Sequence, residues 1–118
     1  MSEFLSVRPN LEVTELGPDV EYLRAVLGFE VDFEEEEMGL VLLHRGAVGL
    51  AVVRAAGAAA NQTTAGYIAV TDVDALYGDV RARGAKVVAD LTDHPWGWRD
   101  FVVETPGGHR LAFGERTV

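Results

Sequence analysis

The chain has 118 residues, a formal net charge of −9 and no cysteine, and 48% of its residues are hydrophobic. These values predict one folded soluble domain, residues 1–118, and exclude disulfides, thiolate nucleophiles and zinc–thiolate sites. No apolar run is long enough to span a bilayer, and the stretch MSEFLSVRPN does not resemble a signal peptide, so we expect a cytoplasmic protein without a membrane partner. Because an acidic surface repels nucleic acid, we expect no nucleic-acid partner either.

The first half of the chain predicts the order strand, helix, strand, strand, strand. Residues 7–13 alternate apolar and polar side chains, as a strand does. Gly17-Pro18-Asp19 should start a helix, because proline is tolerated in the first turn and an acidic residue favours the positive end of the helix dipole. Gly28 should end that helix. Further strands are predicted at residues 29–33, 40–43 and 47–53, and the acidic run 34–37 is predicted as a hairpin tip.

The second half repeats this order after a predicted linker at residues 55–64. Apolar residues between Val73 and Val80 recur at i, i+3, i+4 and i+7, the spacing of one buried helical face, and Gly84 should end this helix. The stretch from Pro95 to Glu115, PWGWRDFVVETPGGHRLAFGE, predicts a ligand-facing loop, a strand, a Pro-Gly-Gly turn and a second strand. The remaining strands are predicted at 67–70 and 85–89.

Corresponding features of the two halves are separated by a nearly constant offset. The spacing between Val13-Thr14 and Val70-Thr71 is within one residue of that between Gly28 and Gly84. This regularity indicates two tandem β-α-β-β-β units, at about residues 6–54 and 65–115. We therefore predict an α+β fold in which both units form a curved eight-stranded mixed sheet with the helices on its convex face.

Five motifs follow one another along the chain: Val13–Leu16, Leu27–Phe29, Thr71–Tyr77, Pro95–Phe101 and Thr105–Leu111. Together with the paired β-α-β-β-β order, they resemble the vicinal oxygen chelate superfamily. That superfamily contains glyoxalase I, extradiol dioxygenases, fosfomycin resistance enzymes and bleomycin resistance proteins, and the last two motifs look most like the bleomycin resistance branch. The resemblance covers nearly the whole chain, and it implies a homodimer with a ligand groove between the subunits.

The resemblance also locates four strand positions where metal-dependent members of the superfamily carry a His or Glu ligand. In this chain those positions fall on Arg8, Ala51, Ala65 and Ala112, or on Tyr67 in place of Ala65. None of these side chains provides the imidazole or carboxylate donor that a divalent cation needs. We therefore predict no metal, no cofactor and no catalytic residue. The alternative hypothesis is a glyoxalase-like lyase or isomerase, or a dioxygenase, with an atypical metal site.

The other ionisable residues form no recognisable catalytic motif. His94, beside the tryptophan loop, is either an alternative base or a surface histidine, and His109 is expected to be structural or solvated. Asp100 and Glu104 are possible acids, but no nucleophile is paired with them.

A ligand cavity is predicted on the sheet face that carries the four family positions, because small side chains there leave volume. Trp96 and Trp98 are suited to stack on a flat or cationic ligand, or else to hold their loop against the sheet. The function predicted is a metal-free protein that sequesters an aromatic or cationic antibiotic or metabolite. Besides the enzyme, the third candidate is a dimeric interaction or regulatory module without a small ligand, and partner strands or a second subunit could then fill this space. The predicted ligand-binding residues are Arg8, Asn10, Ala51, Tyr67, Trp96, Trp98, Arg110 and Ala112.

Overall fold

The computed structural model, which describes residues 1–59 and 64–118, contains two consecutive β-α-β-β-β units. Each helix has 10 residues. Within the described residues, no helix is long and apolar enough to cross a membrane. The N-terminal unit comprises β1 (Asn10–Val13), α1 (Leu16–Ala25), β2 (Glu30–Glu35), β3 (Leu40–Arg45) and β4 (Val48–Arg54). The C-terminal unit comprises β5 (Thr64–Ala69), α2 (Val73–Ala82), β6 (Lys86–His94), β7 (Trp98–Glu104) and β8 (Arg110–Arg116).

Each unit forms its own four-stranded sheet, in the orders β1-β4-β3-β2 and β5-β8-β7-β6. The first strand of a unit pairs in parallel with its last strand, and the other neighbours are antiparallel. The predicted α+β class and the tandem repeat are confirmed. The eight strands are not hydrogen-bonded into a single sheet within the chain; they form two separate four-stranded sheets. Among the described residues, no strand of one unit pairs with a strand of the other.

One face of each sheet packs on its own helix, and the opposite face is open. Side chains from the helix-covered faces of both units form one continuous hydrophobic core. Leu23 of α1 and Val80 of α2 are fully buried in it, and the rings of Phe101 and Phe113 stack with centroids 5.4 Å apart. Burial of this apolar surface is the main force that holds the two units together. The open faces lie on the far sides of the sheets from this shared core.

The turn between β7 and β8 adds polar contacts between the units. Asp19 of α1 is 1% exposed, and its Oδ1 accepts the backbone N–H of Gly107 at 2.6 Å. The Nε2 atom of His109 lies 2.7 Å from the carbonyl oxygen of Glu12, so it must be the donor of that bond. His109 is 5% exposed and therefore belongs to this contact, not to the solvent.

Several strand boundaries differ from those predicted. β1 begins at Asn10 and not at Val7, because Pro9 has no N–H to donate to a ladder. β6 continues to His94, well beyond Ala89, because its pairing with β7 resumes after two register shifts and extends to the hairpin tip. The first two residues of the acidic run belong to β2, and the turn follows at residues 36–39. Residues 60–63 of the predicted linker lie outside the described residues.

Candidate functional site

The open face of the C-terminal sheet carries a connected group of aromatic and ionisable side chains near the β6–β7 hairpin tip. Alternate residues of a strand lie on the same face, so Asp100 and Trp98 of β7 share this face with Gly114 of β8 and His94 of β6. Tyr67 reaches the same surface from β5. We refer to Tyr67, His94, Trp96, Trp98 and Asp100 as the aromatic cluster.

Asp100 is the polar centre of the aromatic cluster. Its Oδ2 accepts the hydroxyl proton of Tyr67 at 2.8 Å, and its Oδ1 lies 2.7 Å from Nε2 of His94. An ionised carboxylate can only accept, so Nε2 of His94 carries a proton in this contact. The Asp100 side chain is 16% exposed, which strengthens both bonds relative to the same contacts in water. One carboxylate therefore holds two rings from different strands.

Each of these two rings positions a tryptophan. The Tyr67 and Trp98 rings meet edge to face, with centroids 5.7 Å apart and planes at 83°. The His94 and Trp96 rings are stacked, with centroids 4.4 Å apart and planes at 9°. Trp96 is 67% exposed, so one face of its indole is covered by His94 and the other is open to a ligand.

Gly114 is required for this arrangement. A Cβ atom at this position would lie 2.0 Å from the Tyr67 hydroxyl oxygen and 2.6 Å from Cζ of the same ring. Only glycine lets the phenol lie across β8 and reach Asp100 on β7. The glycine thus has a direct role in the geometry of the cluster.

Burial raises the pKa of Tyr67 to about 12, and the hydrogen bond to Asp100 and the charge of Asp100 add to this increase. Half of the Tyr67 side chain is exposed, but its hydroxyl group lies in the covered space between Gly114 and Asp100. Ionising the phenol would place a second negative charge beside the carboxylate. Tyr67 therefore remains a neutral donor throughout the neutral pH range.

We expect Asp100→Asn to lower the pKa of Tyr67 from about 12 towards the ordinary value of 10.0, because the neighbouring negative charge disappears. In the wild type, the folded-state pKa exceeds the unfolded one. The stability that depends on the neutral phenol is therefore complete below pH 10.0 and is lost as the pH rises towards about 12. Phenolate absorbance during an alkaline titration measures the shift, and Tyr67→Phe identifies the transition. An unchanged midpoint in Asp100→Asn would show that Asp100 does not act on Tyr67.

Charged side chains occupy the other end of the same face. Glu104 of β7 bonds to Nζ of Lys86, and its Oε1 lies 3.5 Å from Nε of Arg110. Its hydrogen bond from Lys86 is the largest cause that holds the pKa of Glu104 below its ordinary value. A carboxylate held ionised between two cations is poorly suited to act as a general acid. We refer to Lys86, Glu104 and Arg110 as the charged triad.

The open face of the N-terminal sheet carries Arg8, Asn10, Ala51 and Phe33. Arg8 precedes β1, and its Nη1 donates to the carbonyl oxygens of Leu43 at 2.9 Å and Leu50 at 3.2 Å. Asn10 is exposed opposite Ala51, which is 1% exposed. Phe33, which the sequence did not single out, is 48% exposed on this sheet.

The eight predicted ligand-binding residues are divided between these two open faces. Arg8, Asn10 and Ala51 belong to the N-terminal sheet, and Tyr67, Trp96, Trp98, Arg110 and Ala112 to the C-terminal unit. Three of the second group are members of the aromatic cluster, and Arg110 is a member of the charged triad.

Three cavities, of 730, 620 and 150 Å³, lie elsewhere in the described structure. The 620 Å³ cavity is on the helix side of the sheets, where Val48, Ile68 and Leu76 contribute to its wall. No predicted ligand-binding residue lines any of these three cavities. The predicted residues on the open faces therefore contribute to none of the three.

The residues at the four family metal positions do not fit a divalent cation. Ala65 lies at a β-bulge and packs against the core, so Tyr67, opposite Ala112, occupies the third position on the open face. The donors are then a guanidinium, a phenol and two methyl groups, which are not ligands for such a metal. Within residues 1–59 and 64–118, no three His, Asp or Glu side chains are arranged to hold a metal ion.

The chain is similar to one protein family in sequence and to solved proteins in structure. Residues 10–113 match the model of the Glyoxalase/Bleomycin resistance protein/Dioxygenase superfamily. No curated protein is significantly similar in sequence. The bleomycin-binding protein from bleomycin-producing Streptomyces verticillus, solved with copper(II)-bleomycin, is 27% identical, with 96% of this chain and 97% of that chain covered and a TM-score of 0.77. TioX from Micromonospora sp. ML1 is 28% identical, with 97% and 98% covered and a TM-score of 0.73.

Proposed function

The chain belongs to the glyoxalase/bleomycin resistance protein/dioxygenase superfamily, and we propose that it is a metal-free protein that binds and sequesters an aromatic or cationic antibiotic or metabolite. The observation that carries this proposal is the exposed indole of Trp96, whose other face stacks on His94. Because His94 is held by Asp100, the indole is fixed before the ligand arrives, which lowers the entropic cost of binding. The 27% identity to a bleomycin-binding protein supports the same class of function.

A second copy of the chain completes the binding groove in this proposal. Each open face lies on the far side of its sheet from the shared core, so the two faces of one chain do not enclose a ligand between them. In a two-fold dimer, the open N-terminal sheet of one copy, with Phe33, would face the aromatic cluster of the other. Such a dimer contains two equivalent grooves, each lined by aromatic side chains on both sides.

An enzymatic function is the second candidate, and the contact between His94 and Asp100 is the observation that favours it. A histidine oriented by a carboxylate at 2.7 Å is a common general base. Here, however, Asp100 also accepts the Tyr67 hydroxyl, and because Nε2 of His94 bonds to Asp100, Nδ1 would have to be the base. No serine, threonine or cysteine nucleophile is bonded to His94 among the described residues. Binding requires none of these groups to exchange a proton.

Thermal unfolding with a panel of planar aromatic compounds, including metal-free and copper(II)-loaded bleomycin, tests the proposed function. A ligand at 100 times its dissociation constant should add about 2.7 kcal/mol to the free energy of unfolding. Trp96→Ala should weaken binding about tenfold through the lost stacking contact, while Trp96→Phe should retain most of the affinity.

Two results would contradict the proposal. The first is that no compound in the panel stabilises the protein, or that the stabilisation is the same in Trp96→Ala. The second is a stoichiometric divalent metal in protein purified without chelator, which would favour the enzymatic candidate. Turnover that disappears in His94→Asn would favour it further.

A further inference from the structure

We infer that the open face of the C-terminal sheet selects an elongated ligand. This ligand has a planar aromatic group at one end and an anionic group, preferably a carboxylate, at the other. The aromatic end would bind at the aromatic cluster and the anionic end at Arg110 of the charged triad. This inference rests on the proposed function, because it takes the aromatic cluster as the binding site of the first end. It adds the chemical class of the second end.

The charged triad has a net positive charge although the chain as a whole is acidic. Two cations, Lys86 and Arg110, share the single carboxylate of Glu104. Lys86 is closely engaged with that carboxylate, whereas Arg110 approaches it at 3.5 Å through Nε alone. A guanidinium has five N–H donors, and within the described part of the chain the Nη groups of Arg110 donate to no residue. They can therefore form the paired bonds that a carboxylate prefers.

The surface between the two ends is flat and apolar. Arg110, Ala112 and Gly114 alternate along the same face of β8, and the path from the first to the last is about 13 Å at the rise of an extended strand. Ala112 is 3% exposed, and Val102 lies opposite it on β7. The Tyr67 phenol covers β8 at Gly114 and is itself half exposed, so an aliphatic connecting segment between the two ends of a ligand would lie over this ring and Val102.

Arg116 is the natural comparison for Arg110. It lies opposite Trp98 at the exposed end of β8, beside the aromatic cluster, and on the same face of the sheet as Arg110. An anionic group bound there would have to be adjacent to the aromatic group, not separated from it. The two arginines therefore distinguish a compact ligand from an elongated one.

The test compares 6-(2-naphthyl)hexanoic acid with its primary amide, which has nearly the same shape and no charge. Equilibrium dialysis against the full-length protein should show the acid bound about tenfold more tightly than the amide, the size expected for a hydrogen-bonded charge pair. Arg110→Gln should bind both compounds equally, Arg110→Lys should retain part of the preference, and Arg116→Gln should retain all of it. Circular dichroism of each variant verifies folding.

Other outcomes separate this inference from the proposed function. Equal binding of acid and amide by the wild type, with affinity for both reduced in Trp96→Ala, would overturn the inference and leave the proposed function intact. A preference for the acid that disappears in Arg116→Gln but not in Arg110→Gln would also overturn it. If neither compound binds and no aromatic compound stabilises the protein, both proposals are wrong.

Discussion

Gly107→Ala should lower the free energy of unfolding by about 3 kcal/mol, because the added methyl group has no space at the contact between the two units. A Cβ at this position would lie 2.8 Å from Cγ1 of Val13 and 3.0 Å from both carboxylate oxygens of Asp19. The turn would have to move away from α1, which breaks the 2.6 Å bond from the Gly107 N–H to Asp19. Asp19 is almost fully buried, so a lost donor leaves its charge unsatisfied. Urea denaturation measures the loss.

Gly78→Ala is the matched control for this prediction. Gly78 lies within α2, and no atom is within 4 Å of a Cβ built there. The same methyl group should therefore stabilise the protein by about 0.5–1 kcal/mol through helix propensity. Equal effects of the two substitutions would show that the crowding at Gly107 has no energetic consequence.

The repeat and its helices could be predicted because they depend on local features. Gly28 and Gly84 both have a positive φ, 74° and 95°, just beyond the ends of the two helices, which is the conformation that glycine favours there. The helix spacing from Val73 to Val80 is likewise local, and both of these residues are fully buried. The contact between Asp19 and Gly107 joins residues far apart in the chain, and no periodicity indicates it.

The candidate site was predicted only in part, for a related reason. Two tryptophans two residues apart are a local signal, whereas the role of Asp100 depends on three strands. Tyr67 comes from β5, and the register of β6 against β7 shifts twice before it brings His94 to the same face as Asp100. Each shift reverses which side chains face the ligand and the second cancels the first, so Lys86 and His94 lie on the same face. His94 was not placed there because the strand was predicted to end at Ala89.

Mixing two defective variants should restore ligand binding if each groove is formed by two copies of the chain. Phe33→Ala alters the N-terminal sheet's open face, and Trp96→Ala alters the aromatic cluster; both side chains are exposed, so neither change should disturb the core. Each variant alone should bind the same aromatic ligand about tenfold more weakly. In a dimer of one copy of each, one groove contains both defects and the other contains neither.

Random re-association of equal amounts gives about half mixed dimers, so about a quarter of all grooves should regain wild-type affinity. Isothermal titration after unfolding and joint refolding should therefore show a high-affinity class of sites that neither variant has alone. Wild type refolded with the Phe33→Ala, Trp96→Ala double variant is the control. Each groove of its mixed dimers contains one defect, so its high-affinity sites come only from dimers of two wild-type copies. The double variant refolded alone should show no high-affinity sites. If joint refolding creates no high-affinity sites although size-exclusion chromatography shows dimers, both residues must act within one chain, and the ligand would bind without the second copy.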